Sequence, residues 1–319
     1  MMNFTNCYCR FVMSLEQINN AARNCPKEFV DEIERYYHKE VDNVCDMILS
    51  AKHKKKIVML TGPSGSGKTT TAKKVKQSLE KMGIHADYVS LDNFYIGKNN
   101  IPLNDQGVRD LESPNALRQD EIRRCVSDIL NKGNCDIPIY DFGLGAPKPE
   151  NVHIEIGKDD IIIIEGIHAL NPSLIPTGID EENIFKIYVS VKHGIKDYNN
   201  ILVSHQDIRL LRRLVRDFRD RSTGPQETIS MWKNVINGQM INIQPFKRSS
   251  DATINSLHLF ELCVLRNDAI KLLSMVNKDE PEYEESKRLL SEVEKFYPID
   301  EAFVPNDSLI REFLGGGIY

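Results

Sequence analysis

Ile57-Val58-Met59-Leu60-Thr61-Gly62-Pro63-Ser64-Gly65-Ser66-Gly67-Lys68-Thr69-Thr70 carries the chain's clearest fold signal. Its first four residues are apolar without a break, as in a strand buried on both faces of a parallel sheet. The chain then runs directly into Gly62–Thr69, which matches G-x-x-x-x-G-K-[ST] at every position. Glycines let such a loop turn tightly and bring backbone N–H groups against phosphate oxygens. A helix opening near Gly67 turns its positive dipole end on the same anion. Gly62, Ser64, Gly65, Ser66, Gly67 and Thr70 are therefore candidates for lining the phosphates of a nucleotide. Lys68 would reach the β- and γ-phosphates, and the Thr69 hydroxyl would bind Mg²⁺. Ala72, Val75, Leu79 and Met82 supply the inner face of the following helix.

Working outward, strands and helices alternate. Residues 26–50 read as a helix, with Pro26 in its first turn and Val30, Ile33, Tyr37, Val41, Val44 and Ile48 on one stripe. A strand covers Ala86 to Leu91, and a helix follows Pro114. Residues 135–141 and 151–157 alternate around Gly143, Gly145 and Pro147, the pattern of a hairpin. Ile161–Ile164, Phe185–Val191 and Ala252–Ile254 read as further strands. Asp207–Arg221 reads as a helix with Leu210, Leu211, Leu214 and Phe218 on its apolar side. An apolar helix starting near Leu257, a last helix at about 282–296 and an irregular tail complete the chain. The expected fold is α/β: a P-loop NTPase with three α/β/α layers, a parallel sheet, a small hairpin insertion and added terminal helices. The expected divisions are an N-terminal helical extension (1–50), a nucleotide-binding domain (51–256, with the hairpin at 135–157 and an arginine-rich lid at 207–224) and a C-terminal helical extension (257–319).

Composition removes several function classes. The 319 residues carry a formal charge of −5, so a basic surface for bulk nucleic-acid binding is not indicated. The run Lys52-His53-Lys54-Lys55-Lys56 reads as the solvated end of a helix, where cations suit the dipole. The aliphatic run Ile161–Ile164 is far too short to span a bilayer. The first fourteen residues show no small-residue cleavage site, and no signal peptide is read there. A cytoplasmic protein without a membrane partner is expected. Seven cysteines at scattered spacings read as reduced thiols; Cys7 and Cys9 form a C-x-C with no second pair to complete a zinc site. The nearest approach to the N-K-x-D of guanine-selective GTPases, Asn277-Lys278-Asp279-Glu280, ends in Glu and follows no strand.

Two carboxylates follow strands. Asp92 sits in Ser90-Leu91-Asp92-Asn93-Phe94-Tyr95 and Glu165 ends the isoleucine strand. Strand C-termini of an open parallel sheet face the ligand crevice, so both are placed beside the phosphate loop. Asp92 can accept a proton from an incoming hydroxyl and help hold Mg²⁺, and Glu165 occupies the place of a metal-directed acid. A capping role for Asp92 is the bland alternative. Arg209, Arg212, Arg213, Arg216, Arg219 and Arg221 fall within thirteen residues, with Arg209, Arg212, Arg216 and Arg219 on one face. They read as a lid that closes on the triphosphate and stabilises charge on the transferred group, with a solvated face paired to Asp207, Asp217 and Asp220 as the bland alternative.

These residues occur in an order that resembles uridine kinases and phosphoribulokinases: Gly62–Thr70, Ser90–Tyr95, Pro138-Ile139-Tyr140-Asp141-Phe142, Glu165-Gly166-Ile167-His168-Ala169-Leu170 and the Arg212–Asp217 helix. Glu227-Thr228-Ile229-Ser230-Met231-Trp232, Ile243-Gln244-Pro245-Phe246, Ala252-Thr253-Ile254-Asn255-Ser256 and the tail from Asn306 to Gly316 are narrower. They resemble bacterial uridine-kinase-like nucleoside kinases, often fused to an N-terminal TGS region that this chain is expected to lack. The resemblance covers about residues 40–319. It implies ATP- and Mg²⁺-dependent transfer to the 5′-hydroxyl of a pyrimidine nucleoside. Asp92 would be the base, and Lys68, Arg216 and Arg221 would act on the transferred group. Thr69, Glu165 and Asp92 would lie at Mg²⁺, and Tyr95, Glu112 and Tyr140 on the nucleoside side. Such kinases often associate, so a homo-oligomer is compatible with the resemblance. The chain departs from the pattern at Glu112-Ser113-Pro114, where the family has Asp-His-Pro, and at Gly145 and Pro147, where it has a base-contacting His and an Arg. Kinases with other acceptors (phosphoribulokinase, pantothenate or glycerate kinases) and a nucleotide-binding regulator without turnover are the rival readings.

Overall fold

The sheet that carries the molecule has five parallel strands, and its middle strand is the one that opens the phosphate loop. The computed structural model describes residues 14–52, 55–103, 107, 109–141, 143–176, 179–198 and 200–319. In chain order the elements are α1 (Leu15–Asn24), α2 (Pro26–Leu49), β1 (Ile57–Thr61), α3 (Lys68–Lys81), β2 (Ala86–Ser90), α4 (Gln119–Lys132), β3 (Asn134–Asp141), β4 (Ala146–Glu155), β5 (Ile161–Glu165), β6 (Ile184–Ser190), β7 (Ile195–Asp197), β8 (Asn200–Val203), α5 (His205–Arg221), α6 (Pro225–Asn242), β9 (Ala252–Asn255), α7 (Glu261–Leu273), α8 (Tyr283–Val293) and the short α9 (Arg311–Leu314). The sheet order is β2-β5-β1-β6-β9, and β3–β4 and β7–β8 are separate antiparallel hairpins. The register aligns Leu60 of β1 and Ser90 of β2 each with Glu165 of β5, so the three strand ends open side by side.

Strand periodicity builds the layers. Val58, Leu60, Ile161 and Ile163 belong to a core shared with α2, α3, α5 and α7. Ile57, Met59, Ile162 and Ile164, the alternate residues, belong to a second core with α4 and the β3–β4 hairpin. The three-layer α/β expectation is met. Helices α1 and α2 join the first core, with the buried Tyr37 hydroxyl 2.6 Å from the Thr71 hydroxyl of α3. No helix among the described residues is long and apolar enough to cross a membrane.

Several expectations need correction. Met82 lies past the end of α3 and is exposed, and Phe218 is 41% exposed although it shares the leucine side of α5. Pro114 opens only a single 3-10 turn (Pro114–Ala116), capped by the Ser113 hydroxyl; α4 starts at Gln119. The helix expected near Leu257 begins at Glu261, and the last long one spans Tyr283–Val293. Four elements have no counterpart in the sequence reading: α1, α6, the β7–β8 hairpin and the short α9. Helix α1 carries a capping box, Ser14 with Gln17, and a short buried stripe of Leu15, Ile18, Ala21 and Ala22. Helix α6 buries Thr228, Gly238 and Gln239 among its few core contacts, so it shows no apolar stripe. Cys7 and Cys9 lie outside the described residues.

Candidate active site

The phosphate loop is shaped from below by close backbone packing and from one side by arginines. The Thr61 hydroxyl, at the end of β1, donates to the carbonyls of Gly166 (2.9 Å) and Ile167 (2.8 Å) and so ties the loop to the turn after β5. A Cβ at Gly62 would collide with the Val189 carbonyl, and Gly65 and Gly67 hold φ of +73° and +81°, which side chains resist. Arg209 Nε donates to the Ser64 carbonyl (2.8 Å), Arg212 Nη1 to the Gly65 carbonyl (3.1 Å) and Arg213 Nη1 to the Ser64 hydroxyl (3.1 Å). Arg212 is fully buried and pairs with Glu261 of α7, Nη2 to Oε1 at 3.0 Å.

This divides the arginine helix. The sequence places Arg209 and Arg212 with Arg216 and Arg219 in a lid; instead they lie inside the protein and buttress the loop. Arg216 and Arg221 sit at the C-terminal end of α5 around the buried Asp217. Arg216 donates to Asp217 Oδ1 through Nε (2.9 Å) and Nη2 (2.8 Å), and Arg221 Nε is 3.6 Å from the same oxygen. Burial alone would raise the Asp217 carboxyl, but Arg216, Arg221 and Arg213 hold it below the ordinary carboxylate range. The leucine stripe could not reveal the split, because the partner that makes Arg212 burial tolerable is 49 residues away in sequence.

Glu165 and Asp92 both lie near Lys68. Glu165 Oε1 accepts from the hydroxyls of Ser90 (2.8 Å) and Tyr88 (2.9 Å), and the Thr69 hydroxyl is 3.4 Å away. Burial, and then the charge of Asp92, push the Glu165 carboxyl up to about 7, against the opposing pull of Lys68. Burial likewise draws the Lys68 ammonium below its ordinary range, while Glu165, Asp92, Glu312 and Glu112 oppose the drop. Asp92 lies in the turn just after β2, with its N–H on the Ser90 hydroxyl (3.3 Å). A buried corner with two carboxylates and one ammonium is short of positive charge, and a hydroxyl beside it completes an oxygen donor set of the kind Mg²⁺ takes. Sequence reasoning misses Ser90 and Tyr88. They stand two apart on β2, and only the β2–β5 register shows that they meet Glu165.

On the other side of Asp92, Tyr95 and Tyr140 face each other with ring centroids 5.8 Å apart, and the Tyr95 hydroxyl donates to the Leu111 carbonyl (3.0 Å). Glu112 is held by α6: a Cβ at Gly238 would strike the Glu112 side chain, and Asn242 Nδ2 donates to the Glu112 carbonyl (3.0 Å). Burial raises the Glu112 carboxyl, opposed by Arg213, Lys68 and Arg209, and its buried Oε2 has no hydrogen-bond partner among the described residues. Gly145 has φ of +64° and a Cβ there would meet the side chain of Lys98 at 3.1 Å. At the far side of the loop, the Thr70 N–H and hydroxyl donate to Glu312 Oε2 of α9 at 3.2 and 2.8 Å. Sequence reasoning gives Glu312 no role at the site.

A family model described as Phosphoribulokinase / Uridine kinase family matches residues 57–262, more than half of the chain. The uridine kinase of Clostridium botulinum (strain Okra / Type B1) is 27% identical over 199 residues, which cover 62% of this chain and 86% of that protein. The uridine kinase of Ureaplasma urealyticum serovar 10 is 24% identical over 199 residues with the same two coverages. Among solved structures, a possible uridine kinase from Bacillus stearothermophilus gives a TM-score of 0.46 at 18% identity, covering 68% of this chain and 97% of that one. The stretch matched by the family model runs from β1 to the start of α7 and takes in the phosphate loop, Asp92, Glu112, Tyr140, Glu165 and the arginine helix. The chain belongs to the phosphoribulokinase / uridine kinase family and is a phosphotransferase with an alcohol acceptor.

Proposed function

We propose that the protein transfers the γ-phosphoryl group of ATP to the 5′-hydroxyl of a nucleoside, uridine or cytidine. The observation that carries this is the meeting of Lys68 and Thr69 with Glu165 and Asp92 at three adjacent strand ends. The loop N–H groups and Lys68 bind the triphosphate, with Gly62, Ser64, Gly65, Ser66, Gly67 and Thr70 lining it. Thr69, Glu165 and Asp92 would hold Mg²⁺, which when bound neutralises charge on the β- and γ-phosphates. Asp92 takes the proton from the attacking hydroxyl. Arg216 and Arg221, freed from Asp217, stabilise charge on the group in transit and help exclude water. Tyr95 and Tyr140 supply an aromatic wall for the acceptor, and the unpartnered Glu112 oxygen offers an acceptor to a ribose hydroxyl.

The test is Asp92→Asn. The general-base role predicts a fall in kcat of about 10²–10⁴-fold, with ADP affinity measured without Mg²⁺ within about threefold of the parent. Unchanged turnover removes Asp92 from the mechanism.

One observation favours a second acceptor class. Where the family places a base-contacting His, Gly145 packs on Lys98, whose N–H donates to the Gly145 carbonyl at 2.7 Å, and Lys148 stands 3.5 Å from Asp141 on the same hairpin. Two exposed lysines there suit an acceptor that carries its own phosphate, and a sugar phosphate belongs in any acceptor panel.

A further inference from the structure

The residue that follows the phosphate-loop threonine already holds an anion, and it comes from the other end of the chain. The Thr70 N–H is one of the free donors at the N-terminus of α3, the kind that phosphate-binding loops aim at the α- and β-phosphates. Glu312 Oε2 accepts from this N–H at 3.2 Å and from the Thr70 hydroxyl at 2.8 Å. Its other oxygen, Oε1, is 4.0 Å from Arg216 Nη1. Glu312 thus stands between a phosphate-loop donor and a lid arginine, the two groups that the proposed reaction needs for a nucleotide.

The segment that brings it there is firmly seated. Leu309, Ile310 and Phe313 are fully buried. A Cβ at Gly67 would lie 2.6 Å from Leu309, so that side chain rests on the loop backbone itself. Arg219 Nη1 donates to the Phe313 carbonyl (2.7 Å) and Nη2 to the Glu312 carbonyl (3.2 Å). Beyond Glu312 the chain walls a cavity of about 400 Å³ with Thr70, Lys73, Arg216, Arg219, Gly316 and Tyr319 among its lining residues. Tyr319 is anchored by its hydroxyl on Gln77 (2.9 Å), with Lys74 5.7 Å from the ring centre. The backbone is therefore fixed, while the Glu312 side chain can leave Thr70 by rotation about its own bonds.

We propose that the C-terminal segment is a wall of the donor-nucleotide site, and that Glu312 occupies the seat of the nucleotide's first phosphate until the donor displaces it. The inference rests on the proposed donor role of the loop. A carboxylate and a phosphate compete for the same N–H, and each repels the other, so donor affinity is held below what the loop alone would give. Displacement also takes from Arg216 the more distant of its two carboxylate neighbours, leaving Asp217 as its partner.

The test is calorimetric titration of ADP with Mg²⁺ into the whole protein and its Glu312→Gln, Glu312→Ala and Lys68→Ala variants. Glu312→Gln keeps the shape and removes the charge, so it reports even if Glu312→Ala melts early. Both Glu312 variants are expected to bind ADP about tenfold more tightly, a change worth about 1.4 kcal/mol, and Lys68→Ala to bind it much more weakly. Equal or weaker ADP binding by both Glu312 variants, with Lys68→Ala still impaired, overturns the displacement and leaves the donor reading standing. ADP binding that is absent from the parent, or indifferent to Lys68→Ala, overturns the donor reading and this inference with it.

Discussion

Glu165 carries a charge its surroundings resist, and that gives the site a pH dependence with a definite sign. Its carboxyl titrates near 7, above the ordinary carboxylate range, because burial and Asp92 disfavour the anion. A raised carboxyl favours the folded state while it is protonated, so this contribution to stability is present at acid pH and lost as pH rises through about 7. Cation binding runs the other way, because it needs the carboxylate. Mg²⁺-supported ADP affinity should climb between about pH 5 and 7, flatten above, and release protons on binding. Glu165→Gln should remove the part of that slope that exceeds the nucleotide's own titration. A parent slope no steeper than that of Glu165→Gln would place the cation elsewhere. Residues such as Lys68 and Thr69 are legible in the sequence because their roles are set by neighbours along the chain. Ser90 and Tyr88 are not, because their role exists only once β2 lies beside β5.

At the scale of elements, α5 shows how one helix serves two purposes. Its N-terminal part is core: Arg209 and Arg212 hold the Ser64 and Gly65 carbonyls, and Glu261 compensates Arg212. Its C-terminal end is the proposed lid, where Arg216 and Arg221 wait on Asp217. Glu261→Ala leaves a buried guanidinium without its counter-ion and should cost about 3–5 kcal/mol in urea unfolding. It should also loosen the phosphate loop and weaken ADP binding. A loss under about 1 kcal/mol would show that the pair carries little and that the loop is held by other means. Strands β1 and β5 are legible because Ile-Val-Met-Leu and the four isoleucines run apolar without a break. Helix α6 is not, since Gly238 and Gln239 face the core where a leucine would have marked the stripe. Its packing against Glu112 is what makes that omission matter for the acceptor side.

The whole molecule closes on itself around the loop. Helix α2 reaches the tail through the buried pair of Glu34 and Ser308, and the tail reaches the loop through Leu309 and Glu312. Taken as extensions, 1–50 and 257–319 give no sign that α2 and the tail both meet α3. The sequence holds no local signal for this, because a contact across 242 residues leaves no spacing to read. The central claim belongs at this scale as well: a donor held by one side of the site and an alcohol by the other. It is tested most directly by incubating the protein with γ-labelled ATP, Mg²⁺ and, separately, uridine, cytidine, thymidine, purine nucleosides and a sugar phosphate, and identifying each labelled product. Label is expected on the 5′-oxygen of uridine or cytidine, and is lost in Asp92→Asn. Label on the sugar phosphate alone, or on no alcohol while ATP is bound, would contradict it.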